Sequence, residues 1–417
     1  MSSVTRTTTR SPEVTDERQA EQHKARRTLW KESRVKRLRN CGYALAKHGD
    51  NDGLSVKVKY SDGVAGFSGT QTCGSVWGCP CCSQKIMAHR AGEVQQAVDA
   101  WHDVRVRTDN RPHGRVIFLT LTMRHHLGQS LNELMDAGTY AFQKVRSGRG
   151  WEKDSELYGS YLPRTVKTGK NAGQVQYGFR IPYIRAMETT RTYKNGWHVH
   201  FHILLFVKDG ITDDEVALFG QSIYGRWANA LVAKGLTSPT PRNGIDTKLV
   251  RRSSTANALG DYFTKHTYVG RIKEDKAGYE VAYNAGKGGD FKDPYTGRQV
   301  EKGRTPFGIL ADVVELGDAD DLDLWHEWEQ ASKGRRQLTW SVGIRDLLGI
   351  GDEETDESIA EKDLGGEVVM EFEIYEWEWL RWYSDRILKL VRDGVRDKKL
   401  LLHIVQAHIE RQQQLAA

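Results

Sequence analysis

Three histidines occupy alternate positions of one apolar run, Trp197-His198-Val199-His200-Phe201-His202-Ile203, which continues as Leu204-Leu205-Phe206-Val207. Alternate residues of a β-strand face the same side, so the spacing predicts three imidazoles on one face and Val199, Phe201 and Ile203 on the other. Imidazoles in register suit a divalent metal, whereas a His-rich strand facing solvent would do no chemistry. Residues 184–190 read as a second strand, joined to the first by the hairpin signature Lys194-Asn195-Gly196. A two-residue Asn195-Gly196 loop would set Glu188 opposite Ile203, on the wrong face. A three-residue loop that includes Lys194 would set it opposite His202, on the metal face. Glu188 and His198 therefore both stand as candidates to join His200 and His202.

Downstream lies Asp261-Tyr262-Phe263-Thr264-Lys265-His266. On a helix, Tyr262 and Lys265 share a face, so a phenol and an ammonium would address one site. A phenol of pKa about 10 is a poor nucleophile unless its target is polarised; a metal and Lys265 would polarise a phosphate. The five cysteines suggest a second centre. Cys79 and Cys82 form a C-x-x-C pair, with Cys73 just before it and Cys41 upstream. Four thiolates at tetrahedral distances would make a structural zinc site, with His48 or His89 as substitutes for Cys41. Free buried thiols are the alternative.

These groups need scaffolding. Residues 115–123 read as a central strand with Thr120 and Thr122 on one face, residues 131–144 and 213–231 as helices, 244–249 as a short strand and 254–265 as a helix. The succession predicts an α+β fold, an antiparallel sheet with helices on one face. Before it, residues 24–110 read as a basic helix and a Cys-bearing module, in which a strand at 53–60 meets an Asp62-Gly63 turn. Residues 1–23 read as a disordered tail, 271–304 as a Gly/Lys-rich linker, and 305–417 as a mainly helical, acidic and aromatic region with a long helix over 380–413. A chain of 417 residues calls for more than one core.

The net charge of +6 hides an asymmetry: between Asp352 and Trp379 stand twelve acidic residues against Lys362 alone, so the rest of the chain is far more basic. Residues 24–39 hold eight basic side chains against Glu32, and Arg26, Arg27, Lys31, Arg34, Lys36 and Arg37 are candidates to meet a polyanion. The absence of a secretory pattern or membrane-length apolar stretch points to a cytoplasmic chain with reduced cysteines. No phosphate-cradling G-x-x-x-x-G-K-[ST] occurs; Ala285-Gly286-Lys287-Gly288-Gly289 lacks both the first glycine and the final hydroxyl residue.

Phe118-Leu119-Thr120-Leu121-Thr122, His200-Phe201-His202 and Tyr262-Phe263-Thr264-Lys265 resemble, in order and spacing, the three motifs of rolling-circle replication initiators of the HUH (His-hydrophobe-His) endonuclease superfamily. The segments Cys73-Gly74-Ser75-Val76-Trp77-Gly78-Cys79-Pro80-Cys81-Cys82, Thr305-Pro306-Phe307 and Arg335-Arg336-Gln337-Leu338-Thr339-Trp340 look like those of Rep proteins of actinobacterial plasmids, and the resemblance covers about residues 35–345. It implies that His200 and His202, with Glu188 or His198, ligate Mg²⁺ or Mn²⁺. It implies too that Tyr262 attacks single-stranded DNA at a plasmid double-strand origin, assisted by Lys265, leaving a 5′-phosphotyrosine and a 3′-OH for host polymerase; a host helicase would unwind the duplex. In a related branch a glutamate four residues before the tyrosine serves the terminating cleavage; here that position is Ala258. An HUH transposase or mobilisation relaxase shares the chemistry, and a non-enzymatic zinc-containing DNA-binding regulator is the third reading.

Overall fold

The computed structural model describes residues 12–46, 55–102, 114–166, 169–250, 290–292, 299–301, 303–362 and 365–416. The chain runs through α1 (Pro12–Glu32), α2 (Lys36–Asn40), β1 (Ser55–Ser61), β2 (Val64–Ser68), α3 (Pro80–His102), β3 (Gly114–Thr122), α4 (Leu131–Val145), α5 (Gly148–Tyr158), β4 (Ser160–Thr165) and β5 (Val175–Arg180). Next come β6 (Tyr183–Thr192), β7 (Gly196–Lys208), α6 (Asp213–Val232), α7 (Pro241–Gly244), β8 (Ile245–Leu249), β9 (Asp290–Lys292) and β10 (Gln299–Glu301). The last stretch holds α8 (Pro306–Leu316), α9 (Ala319–Ser332), β11 (Leu338–Trp340), α10 (Ile344–Leu348), α11 (Asp356–Glu361), β12 (Glu367–Glu373), α12 (Ile374–Leu380), α13 (Ser384–Arg392) and α14 (Lys398–Ala416).

The histidine strand β7 lies at the centre of an antiparallel sheet ordered β11-β6-β7-β3-β8. The odd-numbered residues of β3 and β7, from Ile117 and Leu119 to Phe201 and Ile203, pack on Leu134 and Phe142 of α4 and on Phe219, Ile223 and Trp227 of α6. Each such large side chain contributes about 2 kcal/mol on leaving water. Both helices start on good caps: Ser130 accepts from the Glu133 amide, and Thr212 and Glu215 form a capping box.

On the opposite face, Val116, Ile184, Leu204 and Phe206 meet Val94, Val98 and Trp101 of α3 and Ile344 of α10. Helices thus cover parts of both faces, not the single face expected. The apolar cover ends beyond Leu204, and the same face then presents Thr120, Thr122, Glu188, Thr190 and the three histidines.

The ends of the chain meet in a second sheet, β12-β1-β2. Asp62 and Gly63 both take positive φ, 47° and 82°, which a tight mirror-image turn between β1 and β2 requires. Val56, Val58, Phe372, Trp377, Leu380, Ile387 and Leu401 form its core. The region 305–417, expected to be mainly helical, therefore gives β11 to the central sheet and β12 to the N-terminal one. The helix expected over 380–413 is interrupted at Gly394 (φ +98°), where α13 ends and the chain turns toward α14.

Helix α1 begins at Pro12, inside the stretch expected to be a tail. Its partner is remote: His23 Nδ1 lies 2.8 Å from Ser384 Oγ, and Arg27 forms a 2.6 Å ion pair with Asp385. The basic helix expected over 24–40 breaks between α1 and α2. Among the described residues, no helix is long and apolar enough to cross a membrane.

Candidate metal centres and nucleic-acid interface

Register decides the first centre. Thr192 pairs with Gly196, so Tyr193, Lys194 and Asn195 form the loop and Glu188 pairs with His200. Both loops considered from sequence were displaced from this one. The observed shift from the three-residue alternative is two residues, which preserves the face, so Glu188 joins the histidines. Gly196 has φ +74°, and a Cβ there would lie 2.9 Å from Leu127 Cα, so the turn and the loop after β3 approach as only glycine permits.

One carboxylate oxygen of Glu188 lies 2.7 Å from His202 Nε2 and 3.1 Å from His200 Nε2. The three candidate donor atoms all fall within 4.8 Å of one another. His202 is buried and held from behind: its Nδ1 lies 3.2 Å from Thr120 Oγ1, and its ring stacks on Phe118 at 5.5 Å. That arrangement leaves Nε2 as the outward-facing donor and matches the outer-sphere support of metal-ligating histidines. Two imidazoles and one carboxylate on a sheet face fit a divalent cation that keeps coordination positions for oxygen ligands.

His198 is not among the three converging donors, although its ring centroid lies 4.9 Å from that of His200. Its ring stacks on His125 at 4.8 Å, and burial, then His200, pushes its pKa down to about 3, so it is neutral at ordinary pH. His125 was missed from sequence; its Nδ1 lies 2.9 Å from the Asn195 carbonyl, at the turn that Gly196 closes. Thr122, Arg124, His125, Asn195, His198, Thr240 and Asn243 line a cavity of about 460 Å³ beside the triad. The only available sequence signal was the Arg124-His125-His126 cluster directly after the strand. Tyr262 and Lys265, with Ala258 and Asp261, lie outside the described residues, as do His48 and most of the 271–304 stretch.

The second centre brings together Cys41, Cys73, Cys79 and Cys82, all buried, with sulfur atoms within 4.8 Å of one another and no disulfide. Cys41 Sγ lies 3.6 Å from both Cys79 and Cys82, and Cys73 lies 3.6 Å from Cys82. The Cys41 thiol, followed by those of Cys73 and Cys79, holds Cys82 well below the ordinary thiol pKa. Four convergent, buried thiols suit a closed tetrahedral zinc site. His89 is occupied elsewhere, 3.6 Å from Glu93 and from Glu354.

The basic residues of α1 and α2 divide. Arg26 is buried over Trp30, beside Cys81 and the cysteine cluster, whose sulfur charges favour its protonated form against the cost of burial. Gly42, at φ +67°, makes room for it; a Cβ there would sit 2.5 Å from Nη1. Arg27 is tied to Asp385, and the exposed Arg37 lies 3.1 Å from Glu357. Lys31, Arg34 and Lys36 are exposed. The acidic segment is likewise structural in part: Asp356 meets the buried Arg90, whose neighbour Glu93 also binds Arg345.

No protein-family model and no solved structure matches this chain. A curated Streptomyces lividans protein named Protein rep is 29% identical over 72% of this chain and 69% of its own length. A Streptomyces cyanogenus protein named Neomycin resistance protein is 28% identical over 68% of this chain and 70% of its own. A Protein rep from Lentilactobacillus hilgardii is 27% identical over 37% of this chain and 39% of its own. The resemblance to plasmid Rep proteins read from the motifs is therefore borne out by relatives, one of which spans most of the chain.

Proposed function

We propose that this protein is a plasmid replication initiator that binds the double-strand origin, nicks one strand through Tyr262 and rejoins the DNA at termination. The convergence of Glu188, His200 and His202 on one polar sheet face supports this reading most directly, and the Rep-named relatives supply the biological setting. These three side chains would hold a divalent cation, which when bound supplies positive charge to the scissile phosphate. Thr120 and Phe118 fix the His202 ring, so that its Nε2 is presented without rearrangement.

Tyr262 then acts as nucleophile. Its phenolic oxygen gives up its proton and bonds to phosphorus, the bond from phosphorus to the 3′ oxygen breaks, and that oxygen takes up a proton to become the 3′-OH primer, so no net proton is gained or lost. Lys265 donates to a non-bridging oxygen as negative charge grows. The 5′-phosphotyrosine keeps a phosphodiester, so a 3′-OH attacking in the reverse sense reseals the strand. The Cys41, Cys73, Cys79 and Cys82 cluster would hold structural zinc in the module that carries the exposed Lys31, Arg34 and Lys36. A host helicase would separate the strands of the duplex.

The test uses single-stranded oligonucleotides tiling the cognate plasmid, with Mn²⁺ present or omitted, resolved on denaturing gels. A metal-dependent covalent adduct is expected, absent in Tyr262→Phe and in His200→Ala. Cleavage retained in Tyr262→Phe would transfer the nucleophile to another residue, Tyr268 first. Sequence-specific binding with no cleavage of any tile would replace the nickase by a DNA-binding regulator.

A further inference from the structure

Helix α1 packs on the cysteine centre. Its Ala25 and Leu29 share a core with Cys41, Cys73, Cys79 and Cys82, and Trp30 Nε1 donates to the Cys41 carbonyl at 2.8 Å. Arg26 is drawn in with them and is only 8% exposed, its guanidinium 5.8 Å from the Trp30 ring. Nη1 fills the space beside Gly42, the residue after Cys41, where a Cβ would lie 2.5 Å from it. On the other side of the centre, Cys81 Sγ lies 3.8 Å from the Gln22 carbonyl, one helical turn before Arg26.

A guanidinium taken out of water needs a counter-charge. The neighbouring Arg27 has Asp385 at 2.6 Å, but among the described residues no carboxylate pairs with Arg26. Its Nη2 lies 3.3 Å from His23 Nδ1 and 3.5 Å from Ser384 Oγ, and its Nε has no partner. Sulfur supplies what oxygen does not. Burial works against the charge, yet Cys81, then Cys41, Cys79 and Cys82, outweigh it and raise the pKa of Arg26.

The cysteine centre has the reciprocal need. Four thiolates outweigh one divalent zinc, so the filled centre is a buried dianion. Lys85, the other cation that acts on Cys81, is exposed to water. If Arg26 served packing alone, an apolar side chain of similar length would fill the same space without the cost of burying a charge. We propose that Arg26 is the fixed counter-ion of the cysteine centre, offsetting the negative charge that zinc leaves on its four thiolates and so setting how tightly the metal is held. This deepens the reading of Cys41, Cys73, Cys79 and Cys82 as a zinc site and rests on it. Arg26 is a positioning residue here, acting through the sulfurs and not on the metal. Because its Nη2 faces Ser384, the same cation also ties the centre to α13.

The test is a competition titration of the full-length chain against a chromophoric zinc chelator, read by absorbance. Arg26→Met keeps an apolar stem against Trp30 and removes the charge. Arg26→Gln, a second neutral variant, keeps a hydrogen-bond donor toward Ser384, and Arg26→Lys keeps the charge without the planar fork. Both neutral variants are expected to hold zinc roughly 10- to 100-fold more weakly, and Arg26→Lys to recover most of that affinity. Unchanged affinity in the neutral variants overturns the proposal. So does an equal loss in Arg26→Lys, which would make the shape of the guanidinium the cause and not its charge. A wild-type chain that takes up no zinc overturns it together with the zinc reading, so the two failures are told apart by the wild type alone.

Discussion

The two candidate metal centres differ in how completely the protein encloses them. At the cysteine centre, four buried thiols come from the end of α2, a loop and the start of α3, so every tetrahedral position has a protein donor. At the histidine centre, three donors come from two paired strands, and Glu188 and His200 remain partly open to solvent. Closed sites with four protein ligands hold folds together, while sites with vacant positions receive substrate. The cysteine centre joins the short helix α2, the loop around Cys73 and the start of α3. The histidine centre rests on a sheet whose packing against α4 and α6 uses apolar side chains and none of the three candidate ligands. One should therefore answer to stability measurements and the other to activity.

Breaking the closed site should have the largest effect. Cys79→Ser is expected to lose one bound zinc per chain by elemental analysis and to unfold the region around α2 and α3, since structural zinc contributes apparent free energies of about 10–16 kcal/mol in small peptides. A variant that keeps both its zinc and its melting temperature would remove the contrast. At the open site, Thr120→Val preserves shape but deletes the oxygen behind His202 Nδ1. Metal affinity measured by titration should fall roughly 10- to 100-fold with the melting temperature nearly unchanged; unaltered affinity would mean that Phe118 stacking alone orients the ring.

The smallest expected effect is a pH dependence on the closed side of the molecule. Burial, then Arg26, Arg27 and Arg392, holds His23 well below its ordinary pKa. Below about pH 6.5 the unfolded chain binds a proton that the folded chain refuses, so stability falls as pH falls, by about 1.4 kcal/mol per unit. Thermal melts between neutral and mildly acidic pH should show a shallower decline in His23→Gln. An identical slope would assign the acid sensitivity to other groups.

Much of this was legible in the sequence because it depended on short-range periodicity. The alternation of Val199, Phe201 and Ile203 with His198, His200 and His202 gave the strand and its two faces. The apolar spacing over residues 131–144 and 213–231 gave the helices that cover one of them. The convergence of Cys41, Cys73, Cys79 and Cys82 was legible too from their number and the Cys79–Cys82 spacing, with His48 or His89 as substitutes for Cys41. The register of the β6–β7 hairpin was not, because Tyr193-Lys194-Asn195-Gly196 supports several loops that differ little in energy. The loop that forms is the one that also lets Gly196 pack against Leu127.

What the sequence determined by itself is thus the set of chemical groups and the local elements that carry them. Tertiary structure decided which groups share a site. Glu188 became a partner of both histidines, and His198 came to lie between His200 and His125. Arg26, read as a candidate to meet a polyanion, was drawn inside beside the cysteines, and α1, helical from Pro12, docks on α13 through His23 and Arg27. Strand β12 found β1 across most of the chain length, converting an apparently separate acidic region into one wall of the N-terminal module. The physical reason is common to these cases. Periodicity and spacing act over a few residues, whereas register, burial of a charge and pairing of distant strands are fixed by the summed packing of segments that meet only in the folded state.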